Sequence, residues 1–368
     1  MPLACSKMAL RLISRTWELP VGVPSDVNRF LSEGFVVQLK WLLKYTKRRL
    51  FCFVFVEFLG VNPERKVIGA KHKRILWINW AAPSLGDSLM DLSARVLLAD
   101  RSVTLLTHPK NANLYRNDQW LVEVFSDPNQ LVLKAGRSSF DLVICDSFSP
   151  RVLIKKLYVA PFAEFCGLYG YVNGFEVHRT LFSFYKMRDL LSTQLTVGSI
   201  RPCISIGSDT QGSCDYDICL AIGGEWAYRT YNYWHEVVPR LEAMGFSIVL
   251  VGSENGRLPA RTIVERSSSV VSTVGRLSLN EVANLISKCR LFVGADGGLW
   301  HIASSIPIPT VVLFADCQIF NSDGIRVTRE TAGMDCITCY DEECVSNISP
   351  TEIAGKIESF FRVRANLN

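Results

Sequence analysis

A glycine-rich turn with an acid and a histidine follows an apolar run in the C-terminal part of the chain. After residues 291–294 come Asp296, Gly297 and Gly298, and His301 begins the next apolar segment. Glycine N–H groups that precede a helix can bind an anion, and a carboxylate can accept hydrogen bonds from sugar hydroxyls. We therefore predict a ligand-binding turn, in which His301 either donates a structural hydrogen bond to a carbonyl or transfers a proton.

A second glycine-containing turn lies at mid-chain and carries a cation. Gly223 and Gly224 directly follow the apolar residues 217–222, and Arg229 comes five residues after Gly224. Backbone N–H groups together with a guanidinium fork suit a diphosphate, which needs both neutralising charge and several donors. The alternative, an arginine that pairs with a surface carboxylate, stays open from the sequence.

An acid also follows the first strand-like run, residues 74–79. Asp87 ends the sequence Ser-Leu-Gly-Asp, which leads into an amphipathic segment. Aspartate is a favoured helix N-cap, so this position has a structural interpretation. A carboxylate after the first strand of an α/β layer also lies at the sheet edge where active sites form, so a catalytic role is the second interpretation.

Four of the twelve cysteines cluster near the C-terminus. Cys336 and Cys339 have the Cys-x-x-Cys spacing, Cys344 follows them, and Cys317 lies upstream. Four thiolates could bind zinc or iron, and reduced thiols that shape a loop are the alternative. The other cysteines are scattered and the chain begins without a signal-like leader, so we expect a reducing, cytosolic compartment.

Length and composition favour two α/β domains. The 368 residues are 48% hydrophobic, and the net charge of +5 is too small to indicate nucleic acid. From residue 74 onward, apolar runs alternate with amphipathic segments, as in parallel α/β layers. A stretch rich in Gly, Ser, Asp and Cys at residues 197–216 is expected to join two lobes. We expect strands at 74–79, 102–107, 140–145, 217–222, 247–251, 290–294 and 310–314, and helices at 87–100, 234–244 and 279–288.

The first 73 residues include a basic amphipathic segment. At helical spacing, basic residues lie on one side and apolar residues on roughly the opposite side. The basic set is Lys40, Lys44, Lys47 and Arg48, and the apolar set is Phe35, Leu39, Leu42, Leu43 and Leu50. This helix either packs on the body of the protein or docks on a membrane surface. The apolar run 51–61 is interrupted by Glu57 and is shorter than the ~20 residues of a membrane span.

The order of these motifs resembles the ADP-heptose:lipopolysaccharide heptosyltransferases, glycosyltransferase family nine. The similarity runs from about Arg74 to Phe361 and is strongest from Gly275 to Cys344. The motifs that carry it are SLGD, IGGEWAYRTYNYW, GRLSLNEVANLISKCRLFVGADGGLWHIASSIPIPTVVLFAD and CITCYDEEC. Each motif alone is weak, and their order and spacing make the resemblance specific.

The resemblance implies a GT-B fold, with two Rossmann-like α/β lobes that face a cleft. Residues 1–73 would be an N-terminal extension, residues 74–200 the acceptor lobe and residues 201–368 the nucleotide-sugar lobe. The implied reaction is inverting transfer of a heptose-like sugar from an ADP-sugar to a lipopolysaccharide-core glycolipid. The implied enzyme is cytoplasmic, peripheral on the inner membrane and independent of a catalytic cofactor, with a structural zinc or iron as an option. A protein O-glycosyltransferase with the same donor, or a non-catalytic nucleotide-sugar binding protein, stays open.

The resemblance also implies residue roles. Asp87 would be the general base, and Arg229 stands where the family usually has a phosphate-binding lysine. The family's Asp-Ser/Thr-Gly turn becomes Asp296-Gly297-Gly298, which loses a hydroxyl donor and keeps the backbone donors. Glu281 matches a family position near the nucleotide, with an exposed helical carboxylate as the alternative interpretation. Gly223, Gly224 and His301 complete the predicted donor site.

Overall fold

Two parallel β-sheets organise the part of the chain that the structure describes. The structure is a computed structural model. It describes residues 35–55, 64–81, 83–169, 179–194, 200, 202–206, 214–267, 269–315 and 336–365. One sheet lies in a unit formed by residues 1–200, and the other lies in a unit formed by residues 201–368.

The first unit contains a five-stranded sheet in the order β3-β2-β1-β4-β5. All neighbouring strands are parallel, so their carboxyl ends lie at one edge. The strands are β1 (Arg74–Asn79), β2 (Ser102–Thr107), β3 (Glu123–Phe125), β4 (Leu142–Ser147) and β5 (Glu164–Tyr169). The described helices are α1 (Phe35–Phe53), α2 (Leu85–Leu92), α3 (Pro109–Ala112), α4 (Pro128–Ala135), α5 (Pro150–Val159) and α6 (Arg179–Leu191).

The second unit contains a six-stranded parallel sheet in the order β11-β10-β9-β6-β7-β8. Its strands are β6 (Tyr216–Ala221), β7 (Ile248–Val251), β8 (Val271–Ser272), β9 (Cys289–Ala295), β10 (Thr310–Ala315) and β11 (Cys336–Asp341). Its described helices are α7 (Trp234–Ala243), α8 (Arg257–Val264), α9 (Leu279–Ser287), α10 (Gly298–Ser304) and α11 (Pro350–Ala365).

Each sheet has a switch point, where the chain moves from one side of its first strand to the other. In the first unit, β2 and β3 lie on one side of β1, and β4 and β5 lie on the other. In the second unit, β7 and β8 lie on one side of β6, and β9, β10 and β11 lie on the other. Loops diverge at such points and leave room for a ligand at the carboxyl ends of the strands. The pairs β1/β4 and β6/β9 therefore mark where sites are expected.

The central strands are apolar because parallel sheets covered by helices are buried on both faces. Ile75, Leu76, Trp77 and Ile78 of β1 are all fully buried. In the second unit β6, β7, β9 and β10 supply a single core together with α7 and α11. These continuous apolar runs are what made the strands recognisable in the sequence.

Two predicted elements differ from the observed ones. The strand predicted at 140–145 is β4, which extends to Ser147, because Ser147 pairs with Tyr169 of β5. The polar residues Asp146 and Ser147 are buried at its carboxyl end. The helix predicted at 87–100 begins at Leu85 and becomes a 3₁₀ helix from Ser93 to Leu98.

Helix α1 exposes an apolar stripe. Phe55, just after this helix, is buried in the core of the first unit. The stripe consists of Phe35, Leu39, Leu43, Leu50 and Phe53, which are between 42% and 63% exposed. Lys40 and Lys47 are exposed as well, and the side chains of Leu42, Lys44 and Arg48 lie outside what the structure describes. Among the described helices, none is long and apolar enough to cross a bilayer.

Candidate functional site

An arginine and an aspartate form a buried ion pair at the switch point of the second unit. Arg229 lies in the 3₁₀ turn that follows β6, and Asp296 directly follows β9. Because β6 and β9 are neighbours, the two loops meet at the same edge. Arg229 Nη1 lies 3.1 Å from Asp296 Oδ2, and the Asp296 side chain is only 4% exposed. The structure thus brings together two residues that were predicted separately.

Asp296 also contacts the predicted histidine. His301 Nε2 lies 3.7 Å from Asp296 Oδ1, so the two carboxylate oxygens point to two different cationic or polar partners. His301 is on α10, and its carbonyl accepts hydrogen bonds from Ser304 and Ser305. In this arrangement Asp296 holds Arg229 in place, and a direct contact between Asp296 and a sugar hydroxyl stays a prediction.

The Arg229 guanidinium is held in one orientation before any ligand arrives. Its carbon lies 5.3 Å from the ring centre of Tyr228, and its side chain is 20% exposed. Its Nε is buried without a hydrogen-bond partner among the described residues. A planar fork that is already ordered loses little conformational freedom when it binds an anion. This geometry suits a diphosphate better than a flexible surface arginine would.

The glycines after β6 are required by packing. Gly223 has φ +89, and a Cβ there would lie 2.9 Å from Asn255 Oδ1. A Cβ on Gly224 would lie 2.5 Å from Thr230 Oγ1. Both residues let the loop close tightly, which fixes the backbone that leads to Arg229. Whether their N–H groups contact a phosphate stays a prediction.

The turn after β9 is less crowded. Gly297 is the N-cap of α10 in an extended conformation, and Gly298 is the first residue of that helix. A Cβ on Gly297 would come no closer than 3.8 Å to the nearest atom, the carbonyl oxygen of Ala295. Packing within the protein therefore does not require glycine here, which is consistent with the predicted approach of a ligand.

Glu281 caps its own helix. Its Oε2 accepts a hydrogen bond of 2.7 Å from the Ser278 N–H, and its own N–H donates to Ser278 Oγ at 3.4 Å. This capping box starts α9. The bond from Ser278 lowers the pKa of Glu281. These contacts are explained if Glu281 is an exposed carboxylate that caps its own helix. A contact between Glu281 and the nucleotide stays a prediction.

Asp87 lies in the first turn of α2 in the first unit. The N-cap position belongs to Ser84, and Asp87 is the third helical residue, so the capping interpretation does not explain it. Its side chain is 37% exposed, and Arg179 Nε lies 3.5 Å from its Oδ1. The neighbouring Ser88 hydroxyl donates to Asn79 Oδ1 at 2.6 Å, which fastens α2 to the end of β1. A partly exposed carboxylate is therefore held at the β1/β4 switch point.

Asp146 is a site residue that the sequence analysis missed. One of its oxygens accepts hydrogen bonds from the N–H groups of Trp80 (2.7 Å) and Ala81 (2.6 Å), in the loop between β1 and α2. The other oxygen is buried without a hydrogen-bond partner among the described residues. Burial raises the pKa of Asp146 to about 7, although the two N–H groups act in the opposite direction. This buried acid fixes the loop that leads to Asp87.

Strand β11 places two of the four clustered cysteines on opposite faces of the sheet. Cys336 and Cys339 are three residues apart on β11, and residues at that spacing point to opposite faces of a sheet. Cys339 belongs to the hydrophobic core, where burial raises the pKa of its thiol to about 11. Cys344 is half-buried, and Cys317 lies outside the described residues. Among the residues described, no three His, Cys, Asp or Glu side chains are grouped to hold a metal ion.

The second unit contains the residues that match a known protein family. Residues 220–344 match the sequence model of glycosyltransferase family 9 (heptosyltransferase). Over these residues the chain is similar to glycosyltransferase family 9. It includes Arg229, Glu281, Asp296 and His301, whereas Asp87 lies outside it. The predicted resemblance to the heptosyltransferases is confirmed.

Curated relatives agree with this family 9 assignment over part of their length. The chain is 27% identical over 142 residues to lipopolysaccharide heptosyltransferase 1 of Pseudomonas aeruginosa, covering 35% of this chain and 37% of that protein. It is 36% identical over 96 residues to lipooligosaccharide heptosyltransferase 2 of Haemophilus ducreyi, covering 24% and 27%. The alignments thus span about a third of the length of these relatives.

Solved structures of family 9 share the fold. The Veillonella parvula family 9 glycosyltransferase matches 80% of this chain and 99% of its own, with a TM-score of 0.65 and 14% identity. Escherichia coli heptosyltransferase WaaC with ADP matches 78% and 99%, with a TM-score of 0.58 and 15% identity. At such identities the likeness shows the fold alone, and it confirms the predicted GT-B fold.

The raised pKa of Asp146 predicts a pH-dependent stability. The folded protein binds the Asp146 proton more tightly than the unfolded chain does. The contribution of protonated Asp146 to the free energy of unfolding is therefore fully present below pH ~4 and is lost as the pH rises through ~7. Asp146→Asn keeps an oxygen that accepts from Trp80 and Ala81 and cannot ionise. From pH 5 to pH 8, urea unfolding should show the variant gaining about 1–3 kcal/mol relative to wild type, since each pH unit corresponds to about 1.4 kcal/mol.

Asp141 provides the matched control. Asp141 precedes β4, and the hydrogen bond that it accepts from Arg74 lowers its pKa. The ionised form of Asp141 therefore stabilises the fold, and this stabilisation is lost as the pH falls. Asp141→Asn should therefore lose stability relative to wild type at pH 8. Identical pH dependence of unfolding in wild type and Asp146→Asn would contradict the account of Asp146.

Proposed function

We propose that the protein is an inverting glycosyltransferase that moves a heptose-like sugar from an ADP-sugar to a lipopolysaccharide-core glycolipid. The observation that carries this proposal is the ion pair of Arg229 with the buried Asp296 at the β6/β9 switch point, inside the region that matches the family 9 model. Two relatives named as heptosyltransferases of lipopolysaccharide or lipooligosaccharide support the substrate class. A structural relative with bound ADP supports the donor class.

Arg229 has the chemistry that the donor requires. When the bond between the sugar and the diphosphate breaks, negative charge develops on the departing phosphate oxygen. A preorganised cation stabilises that charge without having to reorient during the reaction. Arg229, held by Asp296 and packed on Tyr228, is such a cation.

Neutralising the Arg229 pair should weaken ADP binding. The double variant Arg229→Gln/Asp296→Asn removes the guanidinium without leaving a buried carboxylate unpaired. We expect calorimetry to give a loss of about 1.5–3 kcal/mol in ADP affinity, the range for hydrogen bonds to charged groups. The melting temperature should stay close to that of wild type.

Arg257 is the matched control for this measurement. It belongs to the same unit and pairs with Glu254 on the surface, with 57% of its side chain exposed. Arg257→Gln should leave ADP affinity unchanged. Wild-type ADP affinity in the Arg229→Gln/Asp296→Asn protein would remove this pair from the donor site.

Asp87 is proposed to be the general base. In an inverting transfer the acceptor hydroxyl attacks the anomeric carbon and loses its proton as the new bond forms. A carboxylate that is partly exposed can accept that proton, and the Asp87 side chain is 37% exposed.

Asp87→Asn should lower turnover by about 10²-fold or more, because an amide has almost no basicity. ADP affinity and the melting temperature should stay near the wild-type values. Turnover is measured with ADP-heptose and heptose-deficient lipopolysaccharide under chemistry-limited conditions.

Asp100→Asn controls for the loss of a carboxylate in the same unit, since Asp100 is 66% exposed and pairs only with Arg101 among the ion pairs of the described residues. It should keep the wild-type rate. If Asp87→Asn retains more than about a third of that rate, the base lies elsewhere.

Helix α1 is proposed to dock the protein on an anionic bilayer. Its exposed apolar stripe has Lys40 and Lys47 at the edge, the pattern of helices that lie in the membrane interface. A glycolipid acceptor resides in a leaflet, so docking would bring the enzyme to its substrate. The positive charge of the lysines complements anionic lipid headgroups.

Vesicle co-sedimentation tests this docking. Lys40→Gln/Lys47→Gln should weaken binding to anionic vesicles by about 1 kcal/mol per charge, or roughly 30-fold in all. Leu39→Ser/Leu43→Ser/Leu50→Ser should reduce binding further by removing the buried apolar area. The control Arg261→Gln/Arg362→Gln removes two exposed charges of the second unit and should have no such effect. Unchanged sedimentation of the lysine and leucine variants would contradict the proposal.

A further inference from the structure

Arg179 links Asp87 to a second, buried carboxylate. At the start of α6, its Nε donates to Asp91 Oδ1 at 2.9 Å and its Nη2 donates to Asp91 Oδ2 at 2.6 Å. The same Nε lies 3.5 Å from Asp87 Oδ1. Asp91 has no exposed side-chain surface, whereas Asp87 is 37% exposed. One guanidinium thus lies between a buried acid and the accessible acid proposed to be the base.

The helix geometry explains this arrangement. Asp87 and Asp91 are four residues apart on α2, so they lie on the same face one turn apart. Helix α6 packs against this face, and Ser183, one turn after Arg179, donates to the Asp91 carbonyl at 2.5 Å. A buried carboxylate requires a charged or hydrogen-bonding partner, so the Asp91–Arg179 fork is strongly favoured. The guanidinium is therefore fixed independently of Asp87.

We propose that Arg179 is a positioning residue for the base: Asp91 fixes the guanidinium, and the guanidinium fixes the place of the Asp87 carboxylate beside it. The inference rests on the proposed function of Asp87. In the transfer step, the acceptor oxygen bonds to the anomeric carbon and its proton moves to Asp87. The bond between sugar and diphosphate breaks, and ADP leaves with the electron pair. Arg179 stays protonated throughout, because a guanidinium does not give up its proton in proteins.

The central test is the turnover of the double variant Arg179→Gln/Asp91→Asn, measured alone and in combination with Asp87→Asn. It replaces the charged pair by a neutral hydrogen-bonding pair, so no buried charge is left alone. We expect kcat to fall several-fold when Asp87 is present and to fall no further when the double variant is combined with Asp87→Asn, since the pair acts only through the base. ADP affinity should not change. The substrates are ADP-heptose and heptose-deficient lipopolysaccharide.

Arg95 and Asp118 supply a matched control. They form another fully buried pair in the same unit, and neither contacts Asp87 among the ion pairs of the described residues. Arg95→Gln/Asp118→Asn removes a comparable pair and should leave kcat near the wild-type value. An equal loss of kcat in both double variants would mean a general loss of structure and would overturn the proposal.

Arg179→Lys separates charge from geometry. Lysine keeps the positive charge but cannot form the bidentate contact with Asp91. We expect kcat to fall several-fold, again only while Asp87 is present. This variant carries the test if the double variant does not fold, and a kcat equal to that of wild type would then overturn the proposal.

Failure of this inference is distinguishable from failure of the proposed function. If Asp87→Asn is inactive and Arg179→Gln/Asp91→Asn turns over at the wild-type rate, Arg179 has no role in positioning the base. If Asp87→Asn is fully active, the assignment of the base is itself wrong, and the positioning proposal fails with it.

Discussion

A buried carboxylate at the carboxyl end of a switch strand fixes the loop of the neighbouring strand in both units. In the first unit, Asp146 on β4 accepts two backbone N–H groups from the loop after β1. In the second unit, Asp296 after β9 pairs with Arg229 from the loop after β6. Both acids are almost fully buried, and both hold the segment that carries a proposed functional side chain. Burying a charge is costly, so these loops are ordered by strong, specific contacts rather than by general packing.

The two sites differ in how the buried acid acts. Asp296 directly orients the functional cation, and His301 contacts its second oxygen. Asp146 acts through the backbone of the loop after β1. Next to Asp87 on α2, Ser88 donates a hydrogen bond to Asn79, and Arg179 Nε lies 3.5 Å from the Asp87 carboxylate. Under the proposed function the two arrangements have different roles: Arg229 stabilises negative charge on a diphosphate, and Asp87 accepts a proton.

Local sequence patterns predicted the strands that frame both sites, because buried parallel strands are continuous apolar runs. The Arg229 and Asp296 turns were also recognisable, since each follows such a run. Asp146 was missed because a polar residue at the end of an apolar run looks like the start of a loop. Arg179 was missed because its contacts with α2 span about 90 residues of sequence. The four-residue spacing of Asp87 and Asp91 was the one local signal for that cluster, and the exposure of the α1 stripe required the packed structure.

Product analysis after incubation with ADP-heptose and heptose-deficient lipopolysaccharide tests the central claim most directly. Mass spectrometry should find one added heptosyl unit on the glycolipid for each ADP released, and NMR should find the anomeric configuration inverted relative to the donor. Release of free heptose without a glycolipid product, transfer of the sugar to protein alone, or retention of the anomeric configuration would contradict the account.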